Sequence, residues 1–186
     1  MNFGASPWKN VIDDNFFKND PMLYKILMKK KETYDYIVMD TIQGATKFVY
    51  TFTEKDLEYS RLCKCFEEYL YNDKIRDFLN VEYDKTNYLS FEIVKVEPDY
   101  CYPIHIDHER KKCTAVVYLY PQESSGTVLY DSNEEYSRTS KWKQKRVFMF
   151  TNNSEETYHS YHNDTKTYRY TLNAFLLDAD TRFVTN

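Results

Sequence analysis

The sequence predicts an α+β chain, with helices gathered in the N-terminal part and a β-sandwich or jelly-roll barrel in the C-terminal half. Two observations carry this. Helical hydrophobic periodicity is confined to residues before Tyr88, and after it seven short alternating or aromatic runs follow one another with turn residues between them. A chain of 186 residues is of one-domain size. The expected organisation is a single domain, 1–186, in which residues 1–87 support a β core over 88–178. Helices clustered at one end of a sequence are expected to cover one face of the larger sheet.

In chain order, "VIDDNFF" reads as a strand running into a turn. "DPMLYKILMKK" reads as a helix: Asp20 is placed to cap it, Pro21 fits its first turn, and Leu23, Ile26 and Leu27 form an apolar stripe. The stretch from Thr53 to Leu79 carries the strongest helical signal, with Leu62, Phe66 and Leu70 recurring every fourth residue. Thr53 is the expected cap, and a break is expected near Asn72-Asp73. The strands are expected at "LSFEIVKVE", "YPIHID", "CTAVVYLYP", "GTVLYD", "KRVFMFTN", "ETYHSY" and "YRYTLNAFLL".

Composition narrows the function classes. The net charge is −4 and no long basic run occurs, so duplex nucleic acid is not an expected partner. The four cysteines lack zinc spacing, and Cys63 and Cys65, two apart on a helix, face different ways. With no apolar signal core at the N-terminus and no run of bilayer length, a soluble, cytoplasmic protein without a membrane partner is expected. Tyrosine is abundant at 19 residues, and its apolar ring with a polar tip suits the walls of a half-wet cavity.

The chemistry is concentrated in four residues. On a strand His105 and Asp107 point the same way, in a face shared with Cys101 and Pro103. A carboxylate aimed into a β core is costly unless paired or bound to metal. The runs around His159 and Arg169 are joined by the short loop "HNDTKT" and are expected to pair as a hairpin, so that both residues face one cavity. His162 is the rival distal imidazole. Two His and one carboxylate make the facial set of non-haem iron, and an inward Arg supplies a fork for a carboxylate.

The ordered set His-x-Asp, a His about fifty residues later and an Arg about ten further on resembles the Fe(II)/2-oxoglutarate-dependent oxygenases, and within them the prolyl-4-hydroxylase-like subgroup. "VVYLYP", "SSGTVLYD", "RVFMFTN" and "ETYHSYHNDTKTYRYTLNAFL" resemble successive strands of that family's core. The likeness runs over residues 88–177.

The resemblance implies a double-stranded β-helix (a jelly-roll or cupin-like barrel) with the N-terminal helices packed on its major sheet. It implies that His105, Asp107 and His159 hold Fe(II), with 2-oxoglutarate as cosubstrate and O2 as co-reactant. The far carboxylate of 2-oxoglutarate would pair with Arg169, with Tyr118 and Thr171 adding hydroxyl hydrogen bonds; Tyr118 as plain core packing is the other reading. Tyr102 and His108 are substrate-pocket candidates, although parity puts Tyr102 on the opposite face from His105 unless a bulge intervenes. Trp142 either covers the cavity mouth or packs.

Three departures shape the expectation. The approach to His-x-Asp, "VEPDYCYPI", has no Gly, which bears on peptidyl-proline specificity. Asp107 argues against the halogenating branch. Phe175 stands where alkylated-base demethylases carry a second Arg. The expected activity is hydroxylation of a peptidyl prolyl residue, or alternatively of a free amino acid or other small metabolite. An alternative of another class is a catalytically silent metal- or ligand-binding barrel acting as an interaction module. The partner is a protein or small-molecule substrate, and the sequence indicates no oligomeric state.

Overall fold

The computed structural model describes residues 1–84, 87–152 and 156–178, so the ends of the expected single domain beyond 178 lie outside the described residues. The chain runs β1 (Asn2–Gly4), β2 (Asn10–Asp13), α1 (Pro21–Lys30), β3 (Ile37–Ile42), β4 (Ala45–Thr51), α2 (Tyr59–Leu70), α3 (Asp73–Leu79), β5 (Tyr88–Val96), β6 (Cys101–His105), β7 (Lys111–Tyr120), β8 (Thr127–Tyr130), β9 (Tyr136–Ser140), β10 (Val147–Thr151), β11 (His159–His162) and β12 (Arg169–Leu177). An eight-stranded sheet has the order β1-β2-β10-β7-β12-β5-β4-β3, and a four-stranded sheet has the order β6-β11-β8-β9. Every pairing in both is antiparallel.

Alternation along the central strands divides the major sheet into two chemically distinct faces. Tyr170, Leu172, Ala174 and Leu176 of β12 join Ala115 and Val117 of β7 and Phe91 and Ile93 of β5 in a core with the helices. The helices contribute Leu23 and Leu27, Leu62, Phe66 and Leu70, and Ile75 and Leu79. Arg169, Thr171, Asn173 and Phe175, one step out of phase on β12, face the space between the sheets. The helices thus cover the major sheet, as expected.

The local signals mostly hold. Asp20 accepts the Leu23 amide at 3.0 Å and Pro21 opens α1. The helical stretch breaks at Asn72, whose side chain caps α3 by accepting the Ile75 amide at 3.3 Å. Thr53 is not a cap. It sits in a turn closed by Asp56, which accepts the Thr53 amide at 2.7 Å and the Tyr50 hydroxyl at 2.5 Å. The helix begins only at Tyr59, and Glu58 before it reaches Lys30 of α1 at 2.6 Å instead of capping.

Four strands were not expected. β3 and β4 form a hairpin turned by Gln43 (φ 52) and Gly44 (φ 85), the left-handed pair that a tight two-residue turn requires. It lies on the edge of the major sheet with Ile37, Val38 and Met39 exposed, so it shows little inward alternation in sequence. β9, "YSRTS", is a polar edge strand in what reads as a loop, and β1 is three exposed or half-exposed residues. Among the described residues no helix is long and apolar enough to cross a membrane.

Phe91 is fully buried, its ring meeting Tyr59 at 5.7 Å and Phe66 at 6.1 Å edge-on, and it locks α2 onto β5. Phe91→Ala is expected to lower the free energy of unfolding by about 3–5 kcal/mol, measured by urea denaturation. A loss under about 1 kcal/mol would show that α2 is not anchored there.

Candidate active site

The minor sheet supplies the imidazoles. β6 and β11 pair so that His105 lies directly opposite His159, their ring centroids 4.2 Å apart. Each ring directs Nδ1 at the carbonyl two residues earlier, Pro103 O at 3.0 Å and Thr157 O at 2.9 Å. A carbonyl only accepts, so each Nδ1 carries the proton and each Nε2 keeps its lone pair free. Orientation of a ligating His through its second nitrogen is a common feature of metal sites.

Asp107 lies past the end of β6 and is held by the start of β7. Lys111 Nζ pairs with one carboxylate oxygen at 2.7 Å, and the Thr114 hydroxyl donates to the other at 2.7 Å. Asn152 pins the backbone, donating to the carbonyls of Asp107 and His108, both at 2.8 Å. Potential ligand atoms of His105, Asp107 and His159 all lie within 4.8 Å of one another, a group of metal-binding type. Burial, reinforced by the neighbouring His159, holds His105 down at about 4. Burial also lowers His159. Burial alone would raise Asp107, but the charges of Lys111 and His159 and the hydrogen bonds from Lys111 and Thr114 hold it below the usual carboxylate range. Two neutral imidazoles and one carboxylate therefore converge at neutral pH.

These groups line a cavity of about 270 Å³ between the sheets. Arg169 from β12 lies in its wall at 2 % exposure, its guanidinium between the ring of Tyr161 at 4.7 Å and that of Trp142 at 4.9 Å. Its Nε has no hydrogen-bond partner, and among the described residues no carboxylate pairs with it. Thr171, two residues on, shares the cavity wall.

The other sequence candidates are placed as follows. A bulge between the His159 and Tyr161 pairings sets Tyr102 opposite Tyr161, so Tyr102 faces the cavity with its ring 4.5 Å from that of His105. The same bulge removes the alternation by which Cys101 and Pro103 were expected to share the His105 face; Cys101 is exposed. His108 lines the rim and accepts the Arg110 amide at 3.3 Å. His162 is one step out of phase with Tyr161 and does not line the cavity. Tyr118 points between the sheets but is fully buried behind the cavity wall. Its hydroxyl meets Thr127 Oγ1 at 3.0 Å and accepts the Thr127 amide at 3.1 Å, and Thr127 takes the place in the wall. Trp142 packs: it stacks on Tyr118 at 4.5 Å and donates to Pro121 O at 2.8 Å. Sequence reasoning missed Lys47 and Glu92, which also line the cavity. Lys47 lies on the unforeseen β4. Glu92 alternates correctly in "LSFEIVKVE", and an acidic residue in phase with Val94 and Val96 was the available signal.

No protein-family profile matches the sequence, and no curated protein matches it. Solved structures do. A prolyl-4-hydroxylase from Pseudomonas putida superposes with a TM-score of 0.67 at 13 % identity, over 91 % of this chain and 92 % of that one. The chain has the double-stranded β-helix fold. A prolyl hydroxylase from Trichoplax adhaerens, solved with a peptide fragment of hypoxia inducible factor, gives 0.68 at 12 % identity over 95 % and 87 % of the two chains. The non-heme alpha ketoglutarate dependent epimerase SnoN from nogalamycin biosynthesis gives 0.66 at 12 % over 91 % and 78 %.

The lowered His105 predicts an acid limit. The unfolded chain takes up a proton near pH 6.5 that the folded protein refuses until about 4, so folding stability falls as pH drops through that window. In the metal-free protein, kept in chelator, the contribution reaches about 3 kcal/mol at the bottom of the window. Comparing thermal melts of the wild type and His105→Gln at pH 7 and pH 4.5 isolates it, because the raised Glu92 works in the opposite direction in both proteins. Equal acid losses in the two would remove the assignment.

Proposed function

We propose that this chain is an Fe(II)- and 2-oxoglutarate-dependent oxygenase that hydroxylates an unactivated C–H bond, built as one domain in which residues 1–87 support the core of 88–178. The observation that supports this best is the pairing of two features in one cavity: a His-Asp-His group with both Nε2 atoms free, and a buried guanidinium without a carboxylate partner. The donor set fits the metal. Two neutral nitrogens and one carboxylate suit Fe(II) and leave coordination positions open for cosubstrate and O2. The orphaned Arg169 Nε fits the distal carboxylate of an oxo-diacid.

Bound iron supplies the oxidation, turning 2-oxoglutarate and O2 into succinate and CO2 and adding one oxygen to the substrate. The chain supplies positioning. Pro103 and Thr157 fix the imidazoles through Nδ1, and Thr114 and Lys111 fix Asp107. Arg169 and Thr171 would hold the far carboxylate of the cosubstrate. Tyr118 acts at one remove: its hydroxyl holds Thr127, which is nearer the cavity. The rings of Tyr161 and Trp142 close over Arg169 and keep water from it, which strengthens a charge-assisted bond there. Tyr102, beside His105, and His108, on the rim, would meet the substrate.

Two substrate readings follow. Hydroxylation of a peptidyl prolyl residue is supported by the fold neighbours, one of which was solved with a peptide. Hydroxylation of a free amino acid or other small metabolite is supported by the cavity's own charges. A silent interaction module gives no reason for a complete donor set beside a free guanidinium.

The purified protein with Fe(II), 2-oxoglutarate and air is expected to release succinate. Asp107→Ala is expected to abolish this and to lose Mn(II) binding, measured by electron paramagnetic resonance, while circular dichroism shows the fold retained. Arg169→Lys replaces a fork by a point charge and is expected to raise the KM for 2-oxoglutarate about 10- to 100-fold, from the ~1.5–3 kcal/mol of a charge-assisted hydrogen bond. An unchanged 2-oxoglutarate requirement would overturn the cosubstrate assignment, and no succinate under any condition would overturn the class.

A further inference from the structure

Beyond the metal set and Arg169, the cavity holds polar groups that the proposed reaction does not use. Glu92, on β5, accepts no hydrogen bond and forms no ion pair among the described residues, yet it lines the cavity. Lys47, on β4, also forms no ion pair; its ammonium rests 4.3 Å from the centre of the Tyr102 ring. Asn173, on β12, has a buried Oδ1 with no donor. Glu92 and Asn173 are register partners across β5 and β12, so on this face their side chains are nearest neighbours. Lys111, the remaining cation, is engaged by Asp107 at 2.7 Å.

A buried charge or carbonyl oxygen without a partner opposes folding, and in a cleft such groups mark a binding site. Burial lowers Lys47 and raises Glu92, and the opposite charges each feels, Asp40 and Glu92 for Lys47, Lys111 and Lys47 for Glu92, do not reverse it. The groups without an ion pair or hydrogen bond are one ammonium, one carboxylate and one amide oxygen beside that carboxylate. Its complement is a carboxylate and an ammonium on one small molecule.

We propose that the substrate is a free α-amino acid bound as its zwitterion, with its carboxylate on Lys47 and its ammonium held between Glu92 and Asn173 Oδ1. This rests on the oxygenase reading of the same cavity and narrows it. A residue inside a peptide brings neither charge, only two neutral amides, and would leave Lys47 and Glu92 half-buried without an ion-pair partner. Selectivity against the peptide then comes from groups left unpaired, the stronger form of discrimination. The volume agrees: about 270 Å³ is just under the usual range of ligand cavities, roughly 300–1,000 Å³, and the cosubstrate would occupy part of it.

The test uses the common free L-amino acids as a pool, the same pool N-acetylated, the same pool as carboxamides, and a proline-rich peptide. Each is presented to the full chain, alone and loaded with Mn(II) and 2-oxoglutarate, and binding is followed by ligand-observed NMR. The Fe(II)-loaded protein is then assayed for added succinate and for a product one oxygen heavier. At least one free amino acid is expected to bind, and capping either end is expected to weaken it at least about tenfold, the loss of one charge-assisted hydrogen bond. Glu92→Gln is expected to raise the KM for that amino acid about tenfold more than it changes kcat. The proposal falls if no free amino acid binds, if the capped forms or the peptide bind as well, or if Glu92→Gln changes kcat alone. If free amino acids bind with both ends required but Mn(II) and 2-oxoglutarate do not bind, the oxygenase reading fails and the zwitterion site stands.

Discussion

Charge buried between two sheets is the constraint that organises this protein. Asp107, Arg169, Glu92, Lys47 and Lys111 all face the space between the sheets, where each is at least half withdrawn from water and would oppose folding if left alone. The chain offsets these terms unequally. Asp107 receives a lysine and a hydroxyl. The imidazoles avoid the problem by staying neutral. Arg169 is given aromatic faces in place of a carboxylate, which stabilises the cation while leaving its hydrogen-bonding edge uncommitted. Lys47 receives one aromatic face, Tyr102, and no ion pair, and Glu92 receives least, with neither an ion pair nor a hydrogen bond among the described residues. Compensation is therefore most complete where a group must be held in one geometry and least complete where a ligand is to arrive, the pattern expected of a preorganised site.

The stability that tolerates these unpaired groups comes from the opposite face of the same strands. The residues of β12 that pack on the helices alternate one for one with those that face the cavity, and β7 and β5 repeat the arrangement. A slip of one residue in β12 would exchange Arg169 for Tyr170 and drive a guanidinium into the helix-backed core. The register is fixed by nine paired positions with β5, more than any neighbouring strand pair uses, and by the apolar face that one register alone can bury. Arg169 and Thr171 thus stand on a strand at the centre of the sheet, among the elements least prone to local opening.

How far the sequence discloses this follows from the same alternation. The His105, Asp107, His159 and Arg169 set was legible because parity on strands and a short hairpin loop determine facing without knowledge of the tertiary fold. The helix break at Asn72 was legible because its cap is local chemistry. Tyr102 was ambiguous because a bulge inverts parity and leaves no compositional trace in "CYPIH". Tyr118 points between the sheets, but its partner Thr127 comes from the opposite sheet, and sequence carries no depth along that direction. Thr53 looked like a cap because capping propensity is shared by turn residues, and Asp56 claims the turn. Lys47 was beyond reach because β3, the edge strand that pairs with β4, turns Ile37, Val38 and Met39 to solvent, so the hairpin as a whole lacks the periodicity that identifies a half-buried strand.

The division of the site among strands has a consequence for how its chemistry can vary. The His-Asp-His group stands on β6, β11 and the turn before β7, and Arg169 stands on the central β12. The unpaired groups that would meet a substrate, Lys47 and Glu92, stand on β4 and β5, toward one edge of the major sheet. Among the described residues no hydrogen bond joins either of them to His105, Asp107 or His159, and the one link by contact runs from Lys47 through the Tyr102 ring to His105. Coupling is left to the electrostatic field: Lys111 and Asp107 both act on Glu92, and Glu92 on Lys47. Screening within the cavity limits that to a modest term beside direct ligation. On the proposed reading, substrate class and metal chemistry would be separable in this fold, one written on an edge hairpin and its neighbour and the other on the pairing of the minor sheet.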